Sequence, residues 1–192
     1  MVMPDTKVWT RQDVHALPDD GNRYELVDGV LLVTPSPRAI HQVAVSELND
    51  RLRAYVRANR LGMVLFAPSD LDLRSGQLVQ PDLFVLPTAP GRPLRDWADA
   101  GIPTLIVEIL SPSTARHDRV TKRRLYQRSG VPTYWIVDLD ARLVEVWTEG
   151  VATPTVADQT LTWQPNWGVP ALRIELAELF RDIWGDEPAP PA

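Results

Sequence analysis

Apolar positions along this chain fall mostly into short runs of strand length, interrupted by two longer stretches with helical spacing. Near the start, Thr10 precedes "RQDVHAL" with Asp13 three residues on, the spacing of a capping box, and predicts a short helix ending near Pro18. "RYELV" and "VLLV" then read as two strands joined by Asp28-Gly29, a two-residue hairpin turn. In "SPRAIHQVAVSELNDRLRAYVRANRLG", Ile40, Ala44, Leu48, Leu52 and Tyr55 form a helical stripe, and Gly62 is the expected stop. "MVLFAPSDLDL" and "LVQPDLFVLP" predict a second hairpin across "RSGQ". After a loop from Pro87 to Pro103 comes the strand "TLIVEILSPS", then a helix from Ala115 to Ser129 that Ser113 and Thr114 can cap and Gly130 ends. "TYWIVD" and "LVEVWT" predict a third hairpin across "LDAR", and "LRIELAELF" a closing short strand or helix. The fold class is therefore α/β (α+β), a central mixed sheet flanked by helices. The expectation is one domain over residues 1–183, with a disordered tail over 184–192.

Two positions break this pattern. Glu108 stands in the middle of "TLIVEIL", where every neighbour asks for burial. An unpaired carboxylate in such a setting protonates, finds a cation, or sits at a cleft. Asp82 follows Pro81, which cannot donate to a β ladder and so marks an irregularity in its strand. Should the two strands be neighbours, both acids converge at one edge of the sheet, where they share either a proton or a divalent cation. Asp118 and Lys122, spaced i, i+4, lie on the helical face that continues through Leu125 and Tyr126 and points to the sheet. Lys122 is then carried inward towards the acids; the alternative is a plain surface pair with Asp118, worth a few tenths of a kcal/mol.

Composition narrows the classes. The chain has 192 residues and no cysteine, which excludes a disulfide frame and a thiolate metal site. No apolar run approaches the roughly 20 residues that span a bilayer, and the opening stretch lacks the pattern of a signal peptide, so the expectation is a cytoplasmic protein away from membranes. Net charge is −5, which argues against a surface that grips nucleic acid all over. The arginines are nonetheless clustered, at Arg51, Arg53, Arg57 and Arg60, and again at Arg116, Arg119, Arg123, Arg124 and Arg128. Lysine occurs only at Lys7 and Lys122, which singles out the second inside an arginine-rich helix. His41, at the start of the long helix, reads as a surface residue, the alternative being one that approaches substrate. His117 reads as solvent-facing, no Ser-His-Asp triad assembles, and Trp97 is the one tryptophan that offers a candidate substrate contact.

The order "QPDLFVL", "LIVEILSPST", "HDRVTKRRLYQRSGVPTYWIVD" resembles the Uma family of bacterial endonucleases, within the restriction-endonuclease-like superfamily named for its PD-(D/E)xK signature. The likeness runs from "LPDDGNRYELVDGVLLVTPSP" to "LRIELAELF". It implies a restriction-endonuclease-like core, Mg²⁺ or Mn²⁺ at the site, and hydrolysis of nucleic-acid phosphodiesters, with DNA the favoured partner and a homodimer a further expectation. On that resemblance Asp82 and Glu108 are the signature acids and hold the metal, with the backbone carbonyl of Ile109 as a third ligand. The signature lysine is replaced by Leu110, and Lys122 from the next helix takes its role of assisting the attacking water. Glu25 matches a further acid, which either completes the metal shell or pairs with an arginine. The rival reading is a catalytically silent module on the same fold that binds nucleic acid or protein.

Overall fold

The capping box at Thr10 forms as its spacing predicts: Thr10 Oγ1 accepts from the Asp13 amide at 3.2 Å, and Asp13 accepts from the Thr10 amide at 2.9 Å. It opens α1, Arg11–His15. The computed structural model describes residues 7–73, 76–88, 94–97, 100–166 and 168–185. Strands β1 (Arg23–Val27) and β2 (Val30–Thr34) pair antiparallel through Asp28-Gly29, with φ of 53° and 75°. Two positive φ angles are what a type I′ turn needs, and Asp and Gly tolerate them best.

Helix α2, Ala39–Ala58, follows. It ends at Asn59, ahead of the expected stop, because Arg60 already turns left-handed. Gly62 serves a different purpose. Its φ is +134°, and a Cβ there would lie 1.9 Å from the Leu86 carbonyl oxygen. Only glycine lets the chain pass that backbone. Gly62→Ala is expected to cost about 1–3 kcal/mol, seen as a lower urea midpoint at unchanged m value.

The second hairpin differs from its sequence reading. Strand β3 (Met63–Phe66) pairs antiparallel with β4 (Leu83–Leu86), while "LDL" and "LVQ" make only isolated bridges, Leu71 with Val79 and Leu78 with Leu26. Pro81 has no amide hydrogen for the ladder, so the regular strand begins only after it and leaves Asp82 in the preceding bend. Strands β5 (Leu105–Ile109), β6 (Thr133–Asp138), β7 (Leu143–Thr148) and β8 (Thr155–Ala157) complete a six-stranded sheet in the order β3-β4-β5-β6-β7-β8. Its neighbours are antiparallel except β5 and β6. A parallel pair demands a crossover, supplied by a helix that opens at Ala115, is π-helical over His117–Lys122 and runs into α3, Arg123–Arg128.

Alternation along the strands sorts the core onto two faces. Leu83, Val85, Leu105, Val107 and Trp135 pack with α2 and with α4, Leu176–Trp184. Phe84, Ile106, Tyr134 and Ile136 pack with Leu125 and Tyr126 of α3. A separate pair, β9 (Thr160–Trp163) with β10 (Leu172–Glu175), leads into α4, resolving "LRIELAELF" as strand and then helix. Trp184 is still helical, so α4 takes the first residue of the expected tail; residues 186–192 of that tail lie outside the described residues. Part of the Pro87–Pro103 loop, 89–93 and 98–99, lies outside them as well. Among the described residues, no helix is long and apolar enough to cross a membrane.

Candidate active site

Glu108 lies on the face of β5 that α3 covers, next to Ile106. The register pairs Leu83 with Val107, so one step further Asp82 comes opposite Glu108. Both acids are buried, at 3% and 2% exposure, and both line one cleft of about 230 Å³. The sequence-based condition that their strands be neighbours is met.

Lys122 arrives from the crossover helix and is 2% exposed. Its Nζ lies 3.0 Å from Glu108 Oε1, 2.9 Å from Glu25 Oε2 and 3.4 Å from Asp118 Oδ1. The surface-pair alternative for Asp118 and Lys122 is thereby set aside, and their mutual contact is the longest of the three. Within the π-helical segment, the Arg123 amide donates to the Asp118 carbonyl five residues back, and the Tyr134 hydroxyl donates to the same oxygen at 3.1 Å. This wider turn is a feature that i, i+4 spacing could not announce; such turns recur at functional sites. Tyr126, one turn beyond Lys122, donates its hydroxyl to Glu108 Oε1 at 2.8 Å. Glu25 pairs with Lys122 and, among the described residues, with no arginine; its other oxygen accepts from the Gln80 amide at 2.8 Å.

Asp82 is held from the opposite side. Arg23 Nη1 donates to its Oδ1 at 2.9 Å; the Ile109 amide and His41 Nε2 meet its Oδ2 at 2.9 and 3.0 Å. Sequence reading placed His41 at the surface, and this is a correction: the ring is buried because it shares the α2 stripe with Ala44 and Leu48. The spacing 41-44-48 was the signal that could have found it. Arg23 gave no such signal, since nothing in "RYELV" distinguishes an inward arginine at the head of a strand from an exposed one. His117, expected in solvent, is half-buried. Trp97, half-buried, packs on Phe84 with centroids 6.1 Å apart, and it stands outside the lining of the cleft. Arg51 pairs with Glu47 and Asp182, Arg119 with Asp138 and Glu145, and Arg128 with Asp28, so three of the nine clustered arginines are already engaged with acids.

The two halves of the site are electrostatically unlike. Burial pushes the Asp82 carboxyl up, but the bond and charge of His41, then Arg23 and the Ile109 amide, overcome it and hold the group well below the usual carboxylate range. Glu108 moves the other way. Burial drives it well above its ordinary value, Lys122 opposes, and the charges of Asp82, Asp118 and Glu25 add to the rise. Asp118 is raised for the same leading reason. Burial disfavours the Lys122 ammonium, yet Glu108, Glu25 and Asp118 together raise it well above an ordinary lysine. These directions keep the Lys122 ammonium charged among its three acids. Among the described residues, no three acidic or imidazole side chains already stand in a metal-ligating group. Asp118 Oδ1 and His41 Nδ1 are buried without a hydrogen-bond partner.

The Uma2 family model, described as "Putative restriction endonuclease", matches residues 11–177, most of the chain. Among solved structures, a "putative nuclease belonging to DUF820 from Anabaena variabilis ATCC 29413" superposes with a TM-score of 0.70. It is 19% identical, covering 91% of this chain and 98% of that one, a likeness that establishes the shared fold. No curated protein matches the chain.

Proposed function

Because this chain belongs to the Uma2 family, whose description is "Putative restriction endonuclease", we propose that it is a Mg²⁺- or Mn²⁺-dependent endonuclease acting on nucleic acid, DNA in the first instance. The observation that carries this reading is the meeting of Asp82, Glu108 and Lys122, from two adjacent strands and the following helix, at one cleft. The donor set suits a hard divalent cation. Asp82, Glu108, Glu25 and Asp118 are four buried carboxylates against two permanent cations, Arg23 and Lys122, and a bound cation would relieve that excess. Asp82 and Glu108 would hold it. Ile109, whose amide already faces Asp82, would offer its carbonyl on the same strand edge, since both groups of an extended residue point to one side.

Bound there, the ion supplies Lewis acidity towards the scissile phosphate and the attacking water. The chain does the rest. Arg23 and His41 fix the Asp82 carboxylate, and Tyr126 fixes Glu108. Lys122 donates to that water or to a phosphate oxygen, neutralising charge as it builds, in a site dry enough for such contacts to count. Cutting both strands of a duplex would ask for two such sites, one in each copy of a homodimer.

One observation favours the catalytically silent module instead: Asp82 is already satisfied by Arg23, His41 and the Ile109 amide. Manganese separates the readings. Saturating Mn²⁺, at about 100 times its Kd, is expected to raise stability by about 2.7 kcal/mol, read as a higher Tm. With Mn²⁺ present, circular single-stranded DNA or supercoiled plasmid should be linearised or nicked. An unchanged Tm together with intact DNA would leave the silent module.

A further inference from the structure

We propose that the site takes an unpaired nucleic-acid strand and refuses an intact B-form duplex, an inference that rests on the nuclease reading and narrows its substrate. Depth is the first ground. Asp82, Glu108 and Lys122 are 3%, 2% and 2% exposed, so a phosphate must descend below the protein surface to meet them. The cleft, about 230 Å³, falls short of the roughly 300–1,000 Å³ of ordinary small-molecule sites. It admits about one sugar–phosphate unit. Its walls are Thr34–Arg38 on one side and Leu110–Thr114 on the other. Pro35, Pro37 and Pro112 fix φ in both walls, which resists widening. A duplex phosphate rides on a broad, stiff cylinder and cannot follow such a path unless its nucleotide leaves the stack. A flexible single strand can.

Charge is the second, independent ground. Duplex binding draws on many phosphate contacts at once. Here Arg51, Arg119 and Arg128, three of the nine arginines in the two clusters, are engaged with acids of the protein itself, and the chain carries a net charge of −5. What the cleft offers is local: Arg38, exposed at its rim, with the hydroxyls of Ser36, Ser111, Ser113 and Thr114 around it. One guanidinium and a group of hydroxyls suit a short run of phosphates in a bent strand. A single strand also needs only one site, without a second copy.

The test uses the full-length protein and fluorescein-labelled oligonucleotides of about 20 nucleotides, single-stranded or as blunt duplex. Binding is followed by anisotropy in EDTA, and cleavage after adding Mn²⁺. The single strand is expected to bind at least about tenfold tighter, with a salt slope reporting only about one to three phosphates. Arg38→Ala should weaken that binding about tenfold and lower the slope by about one, the loss of a single charge-assisted contact. Faster cleavage of the single strand would complete the support. Equal or tighter binding of the duplex, equal cutting of it, or binding of neither form overturns the proposal. Selective single-strand binding with no cleavage would instead remove the nuclease reading and keep the strand preference; equal cutting of both forms would do the reverse.

Discussion

Lys122→Ala is expected to lose about 3–5 kcal/mol of stability at neutral pH and at least 100-fold in nuclease activity. The side chain is 2% exposed and meets three carboxylates, at 2.9, 3.0 and 3.4 Å. Its removal leaves Glu25, Glu108 and Asp118 buried with no cation of their own, which is far costlier than losing an exposed pair. The sign of the pH effect separates charge from packing. Glu108 and Asp118 are raised in the folded protein, so it binds protons that the unfolded chain has released. Stability linked to such groups is fully present below the ordinary carboxylate range and is lost as pH rises through the raised values. Lys122 opposes that rise in the wild type; without it the loss deepens. Urea melts should show the variant close to wild type near pH 4.5 and furthest below it near pH 8. A deficit that does not change with pH would mean that Lys122 contributes packing volume alone.

The elements of this fold were legible wherever the signal was local. Capping at Thr10, the Asp28-Gly29 turn and the alternation of β5 and β6 depend on neighbours in sequence, and each formed where expected. The second hairpin was misjudged in extent because Pro81 acts on the ladder, a property of two strands together. Of the site, the residues that contradicted their surroundings could be found: a glutamate among apolar residues, an aspartate after a strand proline, and a lysine in a chain that otherwise uses arginine. Arg23 gave no sign of its own, Tyr126 could be read only as facing the sheet, and His41 showed its burial only in its spacing with Ala44 and Leu48. Which carboxylate each of them meets depends on the sheet register and the crossover helix. The basic helices show the converse. Their arginines looked available in sequence, and the acids that occupy Arg51 and Arg119 lie in distant segments, at Asp182 and at Asp138 and Glu145.

Asp82→Ala should be the most damaging change to activity, by about 10³-fold or more, and should abolish the heat of Mn²⁺ binding in calorimetry. Its expected stability loss, about 3–5 kcal/mol, has a different origin from that of Lys122→Ala. Here the groups left behind are donors: Arg23, with a side chain 17% exposed, the buried His41, and the Ile109 amide. A buried donor without an acceptor costs about 1–3 kcal/mol, and more when charged. The remedy should therefore be partial removal of the donors. Arg23→Ala combined with Asp82→Ala is expected to lose clearly less stability than the two single losses added together, because the second change removes the charge stranded by the first. Activity should not return with it, since the carboxylate is still absent. Strict additivity of the two stability losses would mean that Arg23 finds solvent once released. Recovery of cleavage in the double variant would show that Asp82 serves to hold Arg23 and not to hold a metal.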